Sequence, residues 1–136
     1  MIRRAVLADT GPLYAGVDST DQYHQRALRE RARLEESRLE TVVVAPVLIE
    51  AHALCLYRLG REMSGQLATY IMSSGSFALP QESDYRVALQ TTERYDDQSI
   101  TLVDAIVAVM SKRLRLPVWT YDHHFDVMQV EVWRGG

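Results

Sequence analysis

Short and almost wholly apolar runs alternate along the chain with longer segments of mixed apolar and polar residues. Residues 4–9 (RAVLAD) and 41–45 (TVVVA) are the clearest of these runs. The second is apolar and β-branched at nearly every position, which is typical of a strand covered on both faces. Residues 9–12 (DTGP) follow the first run and predict a turn. Further short strands are predicted at 77–79, 116–121 and 130–133.

The segments between these runs have the spacing and composition of helices. Residues 46–60 begin with a proline, which suits the first helical turn, and end at Gly60, a common helix stop. Residues 21–39 are charged, with Tyr23, Ala27, Leu34 and Leu39 as a thin apolar stripe. The remaining predicted helices cover residues 63–73, 84–95 and 101–114. This alternation predicts an α/β fold with a mostly parallel sheet flanked by helices, in one domain over residues 1–136.

The composition is that of a folded globular protein. Of the 136 residues, 47% are hydrophobic and 24% are charged. No apolar stretch reaches the roughly 18 residues of a membrane span, so we expect no membrane partner. The single cysteine, Cys55, has apolar neighbours and predicts an inert buried thiol, which fits a cytoplasmic location. The net charge of −3 gives no overall attraction to nucleic acid, so such binding would need a local basic patch or bridging metal ions.

Four carboxylates stand in apolar surroundings. Asp9 and Asp122 each close a predicted strand and therefore lie at its carboxyl end. Glu50 and Asp104 lie near the start of predicted helices, on faces whose other residues are mainly apolar. Ligands of parallel sheets bind beyond the carboxyl ends of the strands, so all four acids map to the edge where a site is expected.

A shared cation explains these four acids better than four separate ion pairs. An ionised carboxylate is costly to bury unless another group compensates its charge. No lysine or arginine lies within four residues of any of the four acids. Carboxylate oxygens suit Mg²⁺ or Mn²⁺, and the His and Cys spacing of a zinc site is absent. We therefore predict a metal site formed by Asp9, Glu50, Asp104 and Asp122.

Each acid also has a structural interpretation. Asp9 could shape the turn that follows it, and Asp122 could cap the next segment. Thr101 and Asp104 fit a helix capping box. Glu50 lies too deep in its helix for capping, which favours a functional role. Because all four acids map to one edge, a joint role is better supported than four unrelated ones.

Other catalytic patterns are missing from the sequence. It contains no serine nucleophile elbow and no Gly-rich phosphate-binding loop. A phosphoacceptor receiver domain would need a late lysine, whereas the only lysine, Lys112, lies within a predicted helix. Haloacid-dehalogenase-like phosphatases have a D-x-D motif after the first strand, whereas residues 9–11 of this chain read DTG.

Together, the acidic motifs resemble a known family. An apolar strand ending in Asp9 and Thr10, then PVLIE (46–50), SITLVDA (99–105) and VWTYDHHF (118–125), is similar to the PIN-domain ribonucleases. Among these the chain most resembles the VapC-type toxins of bacterial and archaeal toxin–antitoxin pairs. The resemblance covers essentially the whole chain, with the motifs in the usual order. One position departs from the pattern, since Gly11 stands where many relatives have Ser or Asn.

The resemblance implies a three-layer α/β/α sandwich with a mostly parallel central sheet. It implies that the four acids bind Mg²⁺ or Mn²⁺ and are catalytic, with Thr10 and Thr120 as supporting polar residues. It also implies a homodimer that a cognate antitoxin inhibits. The predicted function is metal-dependent hydrolysis of RNA phosphodiesters by a toxin, with a non-catalytic module that binds RNA or protein as the alternative. We expect Arg113 and Arg115, or the arginines of residues 26–38, to hold the RNA.

Overall fold

A parallel four-stranded sheet forms the centre of the computed structural model, which describes residues 5–135. Its strands are Ala5–Ala8 (β1), Glu40–Val44 (β2), Ser76–Ala78 (β3) and Val118–Trp119 (β4). Their order across the sheet is β3-β2-β1-β4, and all three pairings are parallel. Every residue of β1 is buried, as are the last three of β2. The apolar runs that predicted these strands therefore form the middle of the core.

Seven helices within the described residues connect and cover the strands. Their bounds are Thr10–Ala15 (α1), His24–Glu36 (α2), Ala45–Leu59 (α3), Arg61–Ser74 (α4), Glu82–Arg94 (α5), Leu102–Leu114 (α6) and His124–Val127 (α7). Gly60 has a φ of 95° and separates α3 from α4, as its position in the sequence predicted. None of these helices has the length and apolar character needed to cross a membrane.

The connections between strands distribute the helices over the two faces of the sheet. The chain steps from β1 to β2 and on to β3 in one direction, then returns to β4 at the opposite edge. Right-handed crossovers place α1 to α4 on one face and α5 with α6 on the other. Accordingly, α3 packs mainly against α1 and α4, and α5 packs against α6, although α3 also touches α6. The predicted α/β/α sandwich with a parallel sheet is confirmed.

Local differences from the predicted elements concern short segments. The predicted turn at residues 9–12 is instead the start of α1, in which Pro12 lies in the first turn, where its missing N–H has no intrahelical acceptor. The strand predicted at 116–121 is only two residues long. The one predicted at 130–133 is reduced to an isolated bridge between Val118 and Val132. The single-turn helix α7 was not predicted.

Candidate active site

A cleft of about 430 Å³ opens at the carboxyl edge of the sheet. Five acids line it: Asp9, Asp21, Glu50, Asp104 and Asp122, of which Asp21 lies just before α2 and was not predicted. Asp9 follows β1, Glu50 lies in the second turn of α3, and Asp122 lies in the loop after β4. Asp104 is in the first turn of α6, which leads back towards the start of β4, so its N-terminus lies at the carboxyl edge. The structure thus brings together the acids that the sequence analysis singled out.

Asp9 is held rigidly at the base of the cleft. Its backbone N–H donates to the carbonyl of Trp119 at 2.9 Å, which continues the pairing of β1 with β4. Thr120 Oγ1 donates to Asp9 Oδ2 at 2.8 Å and also accepts from the N–H of Asp122 at 3.0 Å. The other carboxylate oxygen, Oδ1, is buried without a hydrogen-bond partner among the described residues. Thr120 therefore fixes the orientation of the Asp9 carboxylate and leaves one oxygen for another ligand.

Glu50 and Asp104 are positioned by threonines at the starts of α1 and α6. Thr10 Oγ1 donates to Glu50 Oε1 at 2.5 Å, so the residue after Asp9 holds the acid from α3. Asp104 completes a capping box with Thr101: its Oδ2 accepts from the Thr101 N–H, and its own N–H donates to Thr101 Oγ1, both at 3.2 Å. The structural interpretation of Asp104 is therefore correct, and the capped carboxylate still lines the cleft.

Asp122 lies beside two histidines, His123 and His124. Asp122 Oδ1 accepts from the backbone N–H of His124 at 2.9 Å, so this residue stabilises the turn that leads into α7, whose N-cap is His123. Metal-ligating atoms of Asp122, His123 and His124 all lie within 4.8 Å of one another. The His123 side chain is exposed, whereas that of His124 is largely buried. This acid therefore combines a local structural role with a position from which it could share a ligand.

The electrostatics of the cleft reflect several carboxylates in a poorly hydrated space. Burial raises the pKa of Asp9 to about 7, and the charges of Asp104 and Glu50 act in the same direction. Burial likewise raises the pKa of Asp104, with Asp122 and Glu50 contributing. Within residues 5–135, no lysine or arginine forms an ion pair with Asp9, Glu50 or Asp104. The site therefore has an excess of negative charge that a bound cation would relieve.

Arg58 also lines the cleft, and sequence reasoning missed it. Glu50, Leu54 and Arg58 all line the cleft, and their spacing of four residues places them on one face of α3. This four-residue spacing from Glu50 was the sequence signal that could have placed Arg58 at the cleft. Arg113, which was expected to hold RNA, instead binds Asp84 through two hydrogen bonds of 2.9 and 2.7 Å. Contact of Arg113 with RNA therefore stays a prediction, and in this structure its side chain joins α6 to α5 and does not line the cleft.

Two tyrosines of the cleft were also missed. Tyr121 directly precedes Asp122, and Tyr23 lies just before α2. The spacing of Tyr23 from Ala27 and Leu34 predicted that it belongs to the apolar stripe of α2. Ala27 and Leu34 are buried, but Tyr23 is 37% exposed and faces the cleft. An aromatic residue ahead of a helix has no periodic signal that distinguishes a core position from a binding position.

Comparison with known proteins identifies the fold. No protein-family profile matches the sequence, and no curated protein matches it significantly. The structure matches VapC20 of Mycobacterium tuberculosis, a toxin that cleaves the sarcin-ricin loop, with a TM-score of 0.84. The two share 20% sequence identity, and the match covers 96% of this chain and 99% of VapC20. This chain has the fold of a VapC-type PIN domain.

A second solved structure agrees with the VapC-type PIN-domain fold. FitAcB of Neisseria gonorrhoeae matches with a TM-score of 0.70 and 18% identity over 96% of this chain and 97% of that one. The family resemblance inferred from the four acidic motifs is confirmed at the level of the fold. At these identities the match shows the architecture, and the chemistry has to be argued from the residues of this chain.

Proposed function

We propose that this chain is a metal-dependent endoribonuclease and the toxin of a toxin–antitoxin pair. The observation that supports this most directly is the convergence of four acids, distant in sequence, on one cleft of a VapC-type PIN-domain fold. Such a grouping costs free energy in the absence of a cation, as the raised pKa of Asp9 indicates.

The donors of the cleft fit a hard divalent cation. Asp9 Oδ1 is buried and unpartnered, and carboxylate oxygens of Glu50, Asp104 and Asp122 line the same space. Oxygen donors of this kind are the preferred ligands of Mg²⁺ and Mn²⁺. When bound there, such a cation would lower the pKa of a water molecule and offset negative charge on the scissile phosphate.

The protein's own groups would orient the reacting atoms. Thr120 and Thr10 hold the carboxylates of Asp9 and Glu50 through hydrogen bonds of 2.8 and 2.5 Å, which limits their rotation. The capping box of α6 fixes Asp104 in the same way. Arg58 supplies a positive charge at the cleft wall, where it can pair with an RNA phosphate. Rigid placement of these groups is the main contribution of the fold to the hydrolysis.

The partners follow from the same proposal. VapC20 is itself a toxin, and a toxin of this fold needs an inhibitor in the cell that produces it. We accordingly propose a cognate antitoxin as the protein partner, a homodimer as the assembly, and the cytoplasm as the location. The unpaired thiol of Cys55 is buried, in keeping with a reducing compartment.

Substitution of Asp104 by Asn tests the proposal. An Asn side chain retains an oxygen that accepts from the Thr101 N–H, so Asp104→Asn should fold normally. We expect Mg²⁺-dependent cleavage of single-stranded RNA to fall by roughly 100-fold or more, because one charged ligand is lost. The matched control is Asp97→Asn, which changes an exposed aspartate and should cleave like the parent protein.

The measurement is the rate of cleavage of a labelled RNA with Mg²⁺, with Mn²⁺, and with EDTA. Activity should be absent with EDTA and return when Mn²⁺ is added in excess. Undiminished Mg²⁺-dependent cleavage by Asp104→Asn would refute the assignment. Stabilisation of the parent protein by Mn²⁺ without any RNA cleavage would instead favour the non-catalytic binding module.

A further inference from the structure

Two tyrosines and an arginine form an aromatic surface on one wall of the acidic cleft. The ring centroids of Tyr23 and Tyr121 are 4.8 Å apart, with their planes tilted by 40°. The guanidinium carbon of Arg26 lies 4.4 Å from the centroid of Tyr121 and 5.9 Å from that of Tyr23. Both tyrosines line the same cleft as the four acids. We call Tyr23, Arg26 and Tyr121 the aromatic platform.

A buried carboxylate holds this platform in place. Glu30, which is largely buried, accepts from Tyr121 Oη at 2.6 Å and from Trp119 Nε1 at 3.0 Å through the same oxygen. Its second oxygen accepts from Arg26 Nε at 3.4 Å. Since Glu30 belongs to α2 and Trp119 to β4, these bonds join the helix to the sheet. The platform is therefore preorganised rather than a set of mobile surface side chains.

The ring of Tyr23 forms the solvent-exposed side of the platform. Tyr23 is 37% exposed, and its backbone N–H donates to Asp21 Oδ1 at 2.8 Å, which fixes the chain just before α2. The hydrophobic core does not need this ring, because Ala27 and Leu34 form the buried face of α2. Gly11 borders Tyr121 on the cleft side, and a Cβ there would come within 3.7 Å of the Tyr121 ring. The missing side chain keeps this edge of the platform accessible.

We propose that the aromatic platform stacks an unpaired nucleobase of the RNA whose phosphodiester lies in the acidic cleft. This inference rests on the proposed ribonuclease function and assigns it a base-binding subsite. Aromatic rings bind every base through its π-face, and Arg adds cation–π attraction and a charge for the adjacent phosphate. A base can reach such a ring only when it is unpaired, so the platform selects single-stranded or looped RNA.

Binding of RNA by matched tyrosine variants tests the platform. The probe is a single-stranded oligoribonucleotide that contains 2-aminopurine, and its partner is an oligonucleotide of equal length with an abasic sugar at each position. All variants carry Asp104→Asn, which slows cleavage of the probe, and binding is measured with Mg²⁺. The variants are Tyr23→Leu and Tyr23→Phe, with Tyr57→Leu as control, since Tyr57 is 89% exposed and lies outside the cleft.

We expect Tyr23→Leu to bind the base-containing probe about tenfold more weakly and to quench 2-aminopurine less, because a stacking contact is lost. Tyr23→Phe keeps the ring and should bind within about twofold of the parent. Tyr57→Leu should bind like the parent. The abasic probe should bind weakly and equally to every variant. Unchanged affinity in Tyr23→Leu, or an equal loss with the abasic probe, would overturn the platform.

The same experiment separates this inference from the proposed function. Tyr23-dependent binding together with a lack of RNA cleavage by the otherwise unmodified protein would leave the platform standing and remove the nuclease proposal. Metal-dependent cleavage together with Tyr23-independent RNA binding would do the reverse. If Tyr23→Leu weakened the binding of a protein partner and left RNA affinity unchanged, the surface would be assigned to that partner and the platform rejected.

Discussion

At the scale of single residues, Asp9 carries the largest electrostatic cost of the cleft. Only 5% of its surface is exposed, and its Oδ1 lacks a hydrogen-bond partner among the described residues. Its pKa is raised from 3.8 to about 7, mainly by burial. In the unfolded chain the same group ionises near 3.9. The folded protein therefore binds more protons than the unfolded one between these values, and stability falls as the pH rises from about 4 to about 7.

Replacement of Asp9 by Asn should remove this pH dependence. In the absence of divalent metal, Asp9→Asn should be more stable than the parent above pH 7, because the neutral amide carries no buried charge. At about 1.36 kcal/mol per unit, the shift from 3.8 to about 7 corresponds to an upper limit of roughly 4 kcal/mol. Urea unfolding of both proteins at pH 5 and pH 8 in EDTA measures the difference in their free energies of unfolding. A variant less stable than the parent at pH 8 would show that burial of the charge does not cause the shifted pKa.

The residues of the cleft differ in how far sequence alone could identify them. Glu50 was singled out because a charged residue deep in an apolar helix face has no local explanation, and the structure places it beside Asp9. Tyr23 was wrongly predicted to belong to the apolar stripe of α2. The 3.6-residue period of a helix does not tell whether an aromatic ring just before the helix is buried in the core or exposed. The catalytic role of the four acids stays a prediction until variants are assayed.

At the scale of secondary-structure elements, an ion pair fastens α5 to α6. Asp84 is only 2% exposed and accepts two hydrogen bonds from the guanidinium of Arg113. It also completes a capping box by accepting from the Gln81 N–H at 2.8 Å. The hydrogen bonds from Arg113 hold the pKa of Asp84 below its ordinary value. This pair keeps α6, and with it Asp104, in register with its neighbouring helix.

Removal of Arg113 should cost far more stability than removal of an exposed arginine. Arg113→Ala leaves the Asp84 carboxylate buried and unpaired, and should lower the free energy of unfolding by about 2 kcal/mol or more. The control is Arg86→Ala, which breaks an exposed pair with Glu82 on α5 and should cost less than about 0.5 kcal/mol. Chemical denaturation at pH 7 compares them. Equal losses would show that the buried pair contributes no more than the exposed one.

The pH dependence of the Asp84 pair has the opposite sign to that of Asp9. Because the folded-state pKa of Asp84 is lowered, its contribution to stability is present at neutral pH and is lost as the pH falls below the ordinary range of an aspartate.

The prediction of helices and strands was most successful where several local sequence signals agree. The apolar runs predicted β1 and β2. Pro46 at the start and Gly60 at the end predicted the bounds of α3. It failed at α1 and α7, two very short helices whose buried side chains, among them Leu13 and Phe125, pack in the hydrophobic core.

At the scale of the whole molecule, the fold brings together four segments of the chain whose acids line one cleft. Without a bound cation, the negative charges of these acids repel one another. A ligand that binds only the folded state stabilises it by about 2.7 kcal/mol at 100 times its dissociation constant. That value corresponds to an increase in Tm of roughly 10 °C for a chain of this size. We expect Mn²⁺ or Mg²⁺ at that concentration to produce such an increase.

The increase in Tm should depend on the acids of the cleft. Asp9→Asn should show a clearly smaller response to Mn²⁺ than the parent, whereas Asp97→Asn should respond like the parent. Differential scanning calorimetry over a series of metal concentrations measures the effect. An identical response in Asp9→Asn would place the metal elsewhere, for example at Asp122, His123 and His124, whose ligand atoms lie within 4.8 Å of one another.

Local patterns in the sequence were sufficient to predict the order of the main strands and helices, the family resemblance, and the four acids at one edge of the sheet. They were sufficient because strand and helix periodicity, and the placement of charge in apolar runs, are properties of short segments. That residues 1–136 form one domain stays a prediction of the same kind.

Which side chains meet could be learned only from the folded chain. The bond between Thr120 and Asp9 spans 111 positions, and that between Trp119 and Glu30 spans 89. The pairing of Arg113 with Asp84, the place of Arg58 in the cleft and the aromatic platform likewise depend on how helices pack across the sheet. Such contacts are set by the close packing of the core, which no single segment encodes.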